Sequence, residues 1–256
     1  MRKRRRGISA VRWTSTSKRS KARVAGGKSD PRVRTLICTS LSASTSDGLA
    51  VKARRALAHG SDLVEFRLDH LRSTEASEVA KTLSPFSERA VFTVRRKDEG
   101  GRFGGAEPER LALIRQAAEA GPAYFDIELR TLEESPEFAR IRLGARQIVS
   151  WHARTGTPSR ARLASLLARA RFYGGLAKIV GVASRAADNL AVLSLYDIRG
   201  PPPIAFCKGQ AGILSRVMAI ERGTPLAYAS LDGEETAEGQ LPLDTMLAIR
   251  RRFEAA

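Results

Sequence analysis

Lys178 lies in a short apolar run, Leu176–Ala183 (LAKIVGVA), between Gly174-Gly175 and a stretch with helical spacing. Such a run predicts a strand buried on both faces. Alternation along it sends Lys178, Val180 and Val182 to one side and Ala177, Ile179 and Ala183 to the other. A lysine held there carries its ammonium where charge is costly. Desolvation lowers its pKa, and a neutral amine attacks carbonyl carbon. Taken alone, the same lysine reads rather as a strand-end side chain snorkelling to water. Company decides between the two readings. Glu65, Arg67 and Asp69 share one face of a second such run, opposite Val64, Phe66 and Leu68. Thr93 and Arg95, Asp126 and Glu128, and Ser150 and His152 end three more. Five strands ending in polar and charged residues point to a site where carboxylates, guanidinium groups, an imidazole and an amine converge.

The elements that must position these groups repeat regularly. Strands are predicted at Leu36–Leu41, Leu63–Leu68, Ala90–Arg95, Tyr124–Leu129, Gln147–His152, Leu176–Ala183, Pro203–Cys207 and Leu226–Leu231. Stretches with helical spacing follow them, such as Leu49-Ala50-Ala53-Ala56-Leu57 and Leu111-Leu113-Ile114-Ala117-Ala118. Ser135-Pro136 and Thr157-Pro158 each offer a capping hydroxyl followed by proline at a first helical position, and Gly60, Gly121 and Gly223 stand where helices end. Eight βα units in 256 residues predict a single (β/α)8 TIM barrel, with an open doubly wound sheet as the alternative. In such a barrel the site lies at the C-terminal ends of the strands, where the polar residues fall.

Composition bounds the rest. Apolar content of 43% with 6% aromatic residues suits a globular domain. The net charge is +17, but residues 1–30 alone hold eleven Lys/Arg and one acid, leaving +7 on the other 226. That segment has almost no apolar periodicity and is predicted to be a disordered basic tail, residues 31–256 forming the barrel domain. Three roles compete for the tail: polyanion contact with Trp13 available for stacking, an organelle transit peptide, or an incidental extension. Cys38 and Cys207 lie in strand-like runs and suit buried thiols in a reducing compartment, predicting a cytoplasmic protein. No apolar run reaches transmembrane length, and two separated cysteines with three histidines form no metal-ligand pattern.

From Arg34 onward the chain resembles type I 3-dehydroquinate dehydratase. The motifs are SDLVEFRLDHL, Thr93-Val94-Arg95 through Glu99-Gly100-Gly101, Asp126–Leu129 (DIEL), Ser150–Pro158, Gly212 to Arg216, and Gly239-Gln240. Their order and spacing together carry the resemblance. It implies a (β/α)8 barrel that removes water from 3-dehydroquinate through a lysine imine, in the shikimate pathway. Lys178 is then the imine-forming lysine, and His152 the general base and acid. Glu99 orients His152 and favours its charged form. Arg216 holds the substrate carboxylate with Thr236 and Gln240 beside it, while Glu65, Arg67, Arg95 and Ser40 bind ring hydroxyls. The resemblance implies a homodimer and no metal or organic cofactor. A class I aldolase on the same barrel, a nucleic-acid binder working through its tail, and an inactive relative are rival readings. The aldolase lacks a Gly-rich phosphate loop, the nucleic-acid reading leaves the inward charges unexplained, and retained Lys178, His152 and Glu99 oppose inactivity.

The chain departs from the family pattern in three places. Ala153-Arg154 stands where Asp-Phe is usual, and Thr236-Ala237-Glu238-Gly239-Gln240 replaces SAPGQ, with Glu238 for proline expected to loosen the loop. Lys208 replaces a methionine. Ile204, Phe206 and Lys208 share a face; if it is the inner one, Lys208 sits at the barrel mouth near Lys178, repels its ammonium and attracts an anionic substrate. The alternative sends Lys208 along the rim into water.

Deleting residues 1–30 should leave turnover and melting temperature nearly unchanged while weakening salt-sensitive adsorption to heparin. A large loss of activity in the truncated chain would make the tail part of the fold or the site.

Overall fold

The computed structural model describes residues 34–72, 76–139, 146–231 and 233–255, so the basic tail lies outside the described residues. Eight strands form one sheet: β1 Leu36–Leu41, β2 Leu63–Arg67, β3 Ala90–Thr93, β4 Tyr124–Glu128, β5 Arg146–His152, β6 Leu176–Val182, β7 Ile204–Lys208 and β8 Leu226–Ala229. Every ladder is parallel, running in order from β7 through β6 to β1 and on to β8. The helices are α1 Ser46–Ala58, α2 Ala76–Leu83, α3 Glu107–Ala118, α4 Leu129–Glu134, α5 Pro136–Ala139, α6 Arg160–Phe172, α7 Asp188–Leu193, α8 Ile213–Glu221 and α9 Leu243–Glu254. This is a nearly closed (β/α)8 TIM barrel.

Strand alternation separates two cores. Outward residues pack on the helices; Phe66, Phe92 and Phe125, side by side in register, stack edge to face with centroids 5.6 and 6.0 Å apart. Inward residues form a second cluster that includes Cys38, Leu63, Val91, Tyr124, Ile148 and Ile204. One pleat further along the strands the inward residues become Ser40, Glu65, Thr93, Asp126, Ser150 and Lys178. Register then sets Ser40 beside Glu65, Thr93 beside Asp126, and Ser150 beside Lys178. The barrel is therefore plugged by apolar side chains at the N-terminal end and polar at the C-terminal end.

Among the described residues no ladder joins β7 to β8. Two hydroxyls serve the backbone of β7 instead. Tyr196 Oη accepts from Ala205 N and donates to Ala205 O, both at 3.1 Å, and Ser215 Oγ accepts from Cys207 N at 2.9 Å. Burial pushes the Tyr196 phenol up to about 12, keeping its proton for that donation. Helix α9 covers the neighbouring strands, packing Leu243, Met246 and Leu247 against Ile37, Ala227 and Ala229.

Strand bounds differ from the sequence expectation by one or two residues. Leu68 opens a 3-10 turn and Leu129 opens α4, so β2 and β4 stop short of them. One helix start is corrected. Thr157-Pro158 does not cap α6; Ser159 does, accepting from Arg162 N, while Thr157 Oγ1 donates to Val182 O at 2.8 Å. The threonine hydroxyl is spent tying the loop after β5 to β6. Gly60, Gly121 and Gly223 all take positive φ at helix ends, as expected. Cys38 and Cys207 are buried free thiols.

Gly175 has φ +75°, and a β-carbon there would lie 2.2 Å from the carbonyl oxygen of Gln147. Gly175→Ala should therefore destabilise the chain by about 1–3 kcal/mol and lower Tm by several degrees, read by thermal denaturation. An unchanged Tm would mean that the entry to β6 adapts freely.

Candidate active site

The polar strand ends open into a cavity of about 290 Å³ at the C-terminal face. Lys178 is 4% exposed there. Its Nζ lies 2.9 Å from Asp126 Oδ2, 3.8 Å from Glu65 Oε1, and 3.9 Å above the ring of Tyr228. The amine is buried, as the strand pattern predicts, and two carboxylates and a π face surround it. Burial alone would raise the Asp126 carboxyl, but Arg95 and Lys178 outweigh it and hold Asp126 down to about 2.

Arg95 organises the floor. Its guanidinium contacts Asp126 at 2.8 Å, Glu128 at 3.0 Å and Ser150 Oγ at 2.7 Å, and Ser150 donates in turn to Asp126 at 2.6 Å. Glu128 also accepts from Arg110, at 3.0 Å, so this carboxylate is shared between two buried guanidinium groups. Arg67 makes a two-point contact with Asp69 at 2.8 and 2.7 Å, and Asp69 accepts from Arg102 N at 3.0 Å. Glu65 accepts from Thr93 Oγ1 at 2.8 Å and, closely, from Ser40 Oγ. Thr236 Oγ1 donates to Ser40 Oγ at 2.7 Å, linking the loop after β8 to Glu65.

Glu99 arrives from the loop after β3. A 3-10 turn ends at Gly100, whose φ of +87° reverses the chain and brings the carboxylate over β5. Glu99 Oε2 accepts from His152 N at 2.9 Å and lies 3.0 Å from His152 Nδ1. This contact fixes Nδ1 and leaves Nε2 as the free ring nitrogen. The expectation that the imidazole is held charged is not met. Burial, with the cations Arg95, Lys178, Lys208 and Arg67, pushes His152 well below its usual value of 6.5. Burial and the nearby Glu128 carboxylate push Glu99 up to about 8. A buried site crowded with cations favours the neutral imidazole.

On the far wall, Arg216 stacks its guanidinium 4.5 Å above Phe206 and donates to Glu238 O at 3.3 Å. Burial lowers it to about 10, and its Nε has no hydrogen-bond partner. Gln240 Oε1 accepts from Thr236 N at 2.9 Å. The loop around Glu238 is tied to β7's end and to Arg216 through its backbone. Glu238 O accepts from Gly209 N at 3.1 Å as well as from Arg216, and Gly239 N donates to Glu235 at 3.0 Å.

Lys178, His152, Glu99, Ser40, Glu65, Arg67, Arg95, Arg216, Thr236 and Gln240 all line this one cavity. Lys208 lines it too, so β7 turns its lysine inward rather than along the rim. Two contributors lacked a role in the sequence reading. Asp126 stood out only as a polar strand end, and nothing in a sequence says which of several carboxylates meets a given lysine. Tyr228 has a signal only in retrospect, because it occupies the inward phase of β8. Among the described residues no three His, Cys, Asp or Glu side chains are grouped to hold a metal ion, and no helix is long and apolar enough to cross a membrane.

Comparison with known proteins gives a consistent picture. The family model described as Type I 3-dehydroquinase matches residues 37–254. A 3-dehydroquinate dehydratase of Desulfotalea psychrophila is 35% identical over 225 residues, covering 85% of this chain and 97% of its own. That of Methanocaldococcus jannaschii is 32% identical over 207 residues, covering 79% and 92%. Among solved structures, the 3-dehydroquinate dehydratase of Aquifex aeolicus superposes with a TM-score of 0.73 at 26% identity, over 87% of this chain and 100% of that one. The Geobacillus kaustophilus protein of the same name, at 22% identity, has a TM-score of 0.79 over 86% and 91%, a likeness of fold.

The direction of the His152 shift is measurable. Its ring proton resonances, assigned by loss in His152→Gln, should hold their neutral positions as pH falls from 8 through 6.5. A titration midpoint at or above 6.5 would mean that the surrounding cations do not govern the imidazole.

Proposed function

This chain belongs to the type I 3-dehydroquinase family, a hydro-lyase family of the shikimate pathway, and on that premise we propose that it dehydrates 3-dehydroquinate through an imine on Lys178. One juxtaposition carries the reading. On adjacent strands Ser150 pairs with Lys178 and His152 with Val180, so an amine and a neutral imidazole face the same cavity one pleat apart.

His152 takes a proton from the Lys178 ammonium, the freed amine nitrogen adds to the substrate ketone carbon, and the imidazolium returns that proton to the carbinolamine hydroxyl, which leaves as water to give a protonated imine. Asp126 and Glu65, at 2.9 and 3.8 Å, stabilise positive charge at that nitrogen before and after the addition. The protonated C=N draws electrons from the neighbouring C–H. His152 takes that proton at Nε2 while Nδ1 stays on Glu99. The resulting enamine expels the hydroxyl one carbon further on, which leaves as water with the proton returned by the imidazolium. Water then hydrolyses the imine, releasing 3-dehydroshikimate and restoring the amine. Net, one water leaves the substrate and the enzyme is unchanged.

Arg216, Thr236 and Gln240 suit the carboxylate end, because among the described residues Arg216 makes no ion pair and Glu235 acts on it only from beyond contact distance. Glu65, Arg67, Arg95 and Ser40 suit the ring hydroxyls. The family resemblance further supports a cytoplasmic homodimer, and the charge of residues 1–30 supports a salt-sensitive polyanion contact.

Borohydride added with 3-dehydroquinate should leave a reduced adduct on the peptide containing Lys178, and Lys178→Ala should abolish it. His152→Ala should slow turnover about 10²-fold or more while adduct formation persists. Turnover without an adduct, or an adduct on another lysine, would overturn the imine assignment.

A further inference from the structure

Six cations line the cavity, and they fall into two groups. Lys178, Arg67 and Arg95 each have a carboxylate within 3.0 Å. Arg216 has only the Glu238 carbonyl, at 3.3 Å, and its buried Nε is unpartnered. Lys208 has no hydrogen bond or ion pair among the described residues, although it is half-buried. Arg154 is exposed on the rim. Glu235 and Glu99 act on Arg216 and Lys208 only from beyond contact distance, so among the described residues these two are the cavity's cations without an ion pair inside it.

Backbone geometry places these two together. Phe206 and Lys208 are two residues apart on the inner face of β7, and Arg216 stacks on Phe206, which sets Lys208 one pleat above that stack. The lysine reaches inward over the cavity. Its Nζ lies beside Gly100, 4.0 Å from where a β-carbon on that glycine would stand. Burial, Arg95 and Arg216 lower its pKa from 10.5, the mark of a cation without sufficient counter-charge. An unpaired buried cation is costly, and an incoming anion removes that cost.

We propose that Lys208 is a second carboxylate anchor, closing with Arg216 on the anionic end of the substrate so that the cavity selects a cyclic hydroxy-acid over its uncharged counterpart. The inference rests on the dehydratase reading for the identity of the substrate, and on the two cations without an ion pair for the anchor itself. Lys208 is one of the positions at which the chain departs from its family pattern.

Calorimetric titration with quinate and with quinate methyl ester tests this without turnover. The unaltered chain should prefer quinate. Lys208→Met should weaken quinate about tenfold or more, the worth of one charge-assisted contact, leave the ester unchanged, and let Lys208→Arg recover most of the loss. No preference in the unaltered chain, equal loss for both ligands, or no loss for either would overturn the anchor, as would a Lys208→Met defect confined to turnover. Turnover of 3-dehydroquinate is assayed separately. A chain that discriminates quinate as described but does not dehydrate 3-dehydroquinate would sink the dehydratase reading and leave the anchor standing.

Discussion

Asp126 is the constraint on which the rest of the site depends. It is wholly buried and touches Arg95, Lys178 and Ser150 at once. A carboxylate in that position must stay ionised and paired, because removing either partner would leave an uncompensated charge inside the barrel. Held down to about 2, it is a fixed negative point and not a proton acceptor in any ordinary pH range. The amine of Lys178 therefore sits in a socket of set charge and geometry. Proton traffic is left to the His152–Glu99 pair, which meets the cavity from a different loop.

This separation follows from strand register. Inward positions in the first layers are apolar and close the barrel, so the charged layers above lie on a dry floor where electrostatic contacts are strong. Arg95 and Glu128 continue the network outward to Arg110, a guanidinium 1% exposed that also donates to Val94 O and Thr131. The cluster thus ties the helical layer to the floor of the cavity. A charged network of this extent fixes one arrangement of its side chains, which suits a site whose groups must hold position through several chemical steps.

Much of this was legible in the sequence, for identifiable reasons. Strand period and the placement of apolar runs announced eight βα units, because a parallel sheet covered by helices leaves few other uses for alternating inward charge. Glu65, Arg67, Arg95, His152 and Lys178 were findable because strand ends in such a barrel converge whatever the loops do, whereas Ser40, Glu99, Arg216, Thr236 and Gln240 came only from the family resemblance. Pairings between strands were not findable. That Asp126 rather than Glu128 meets Lys178 depends on a register set by the whole barrel. The imidazole's charge was misjudged because Glu99 was weighed alone, whereas burial and the four cations around the ring act against it. Thr157 misled because proline after a hydroxyl signals a helix start unless another acceptor claims that hydroxyl, and Val182 O claims it.

The hydroxyls of Tyr196 and Ser215 on β7 have a consequence for the chain's behaviour in a crowded solution. A strand without a neighbour is a template on which a second molecule can add its own strand, and parallel barrels form slowly enough to expose such templates. Here Ala205 N, Ala205 O and Cys207 N are already taken by side chains from the segment after β6 and from α8. These side chains come from elements on both sides of β7 in sequence, so these backbone groups are taken by local contacts as soon as this part of the chain has folded. Along β7 the open side of the ring therefore presents interrupted rather than continuous backbone groups to an added strand.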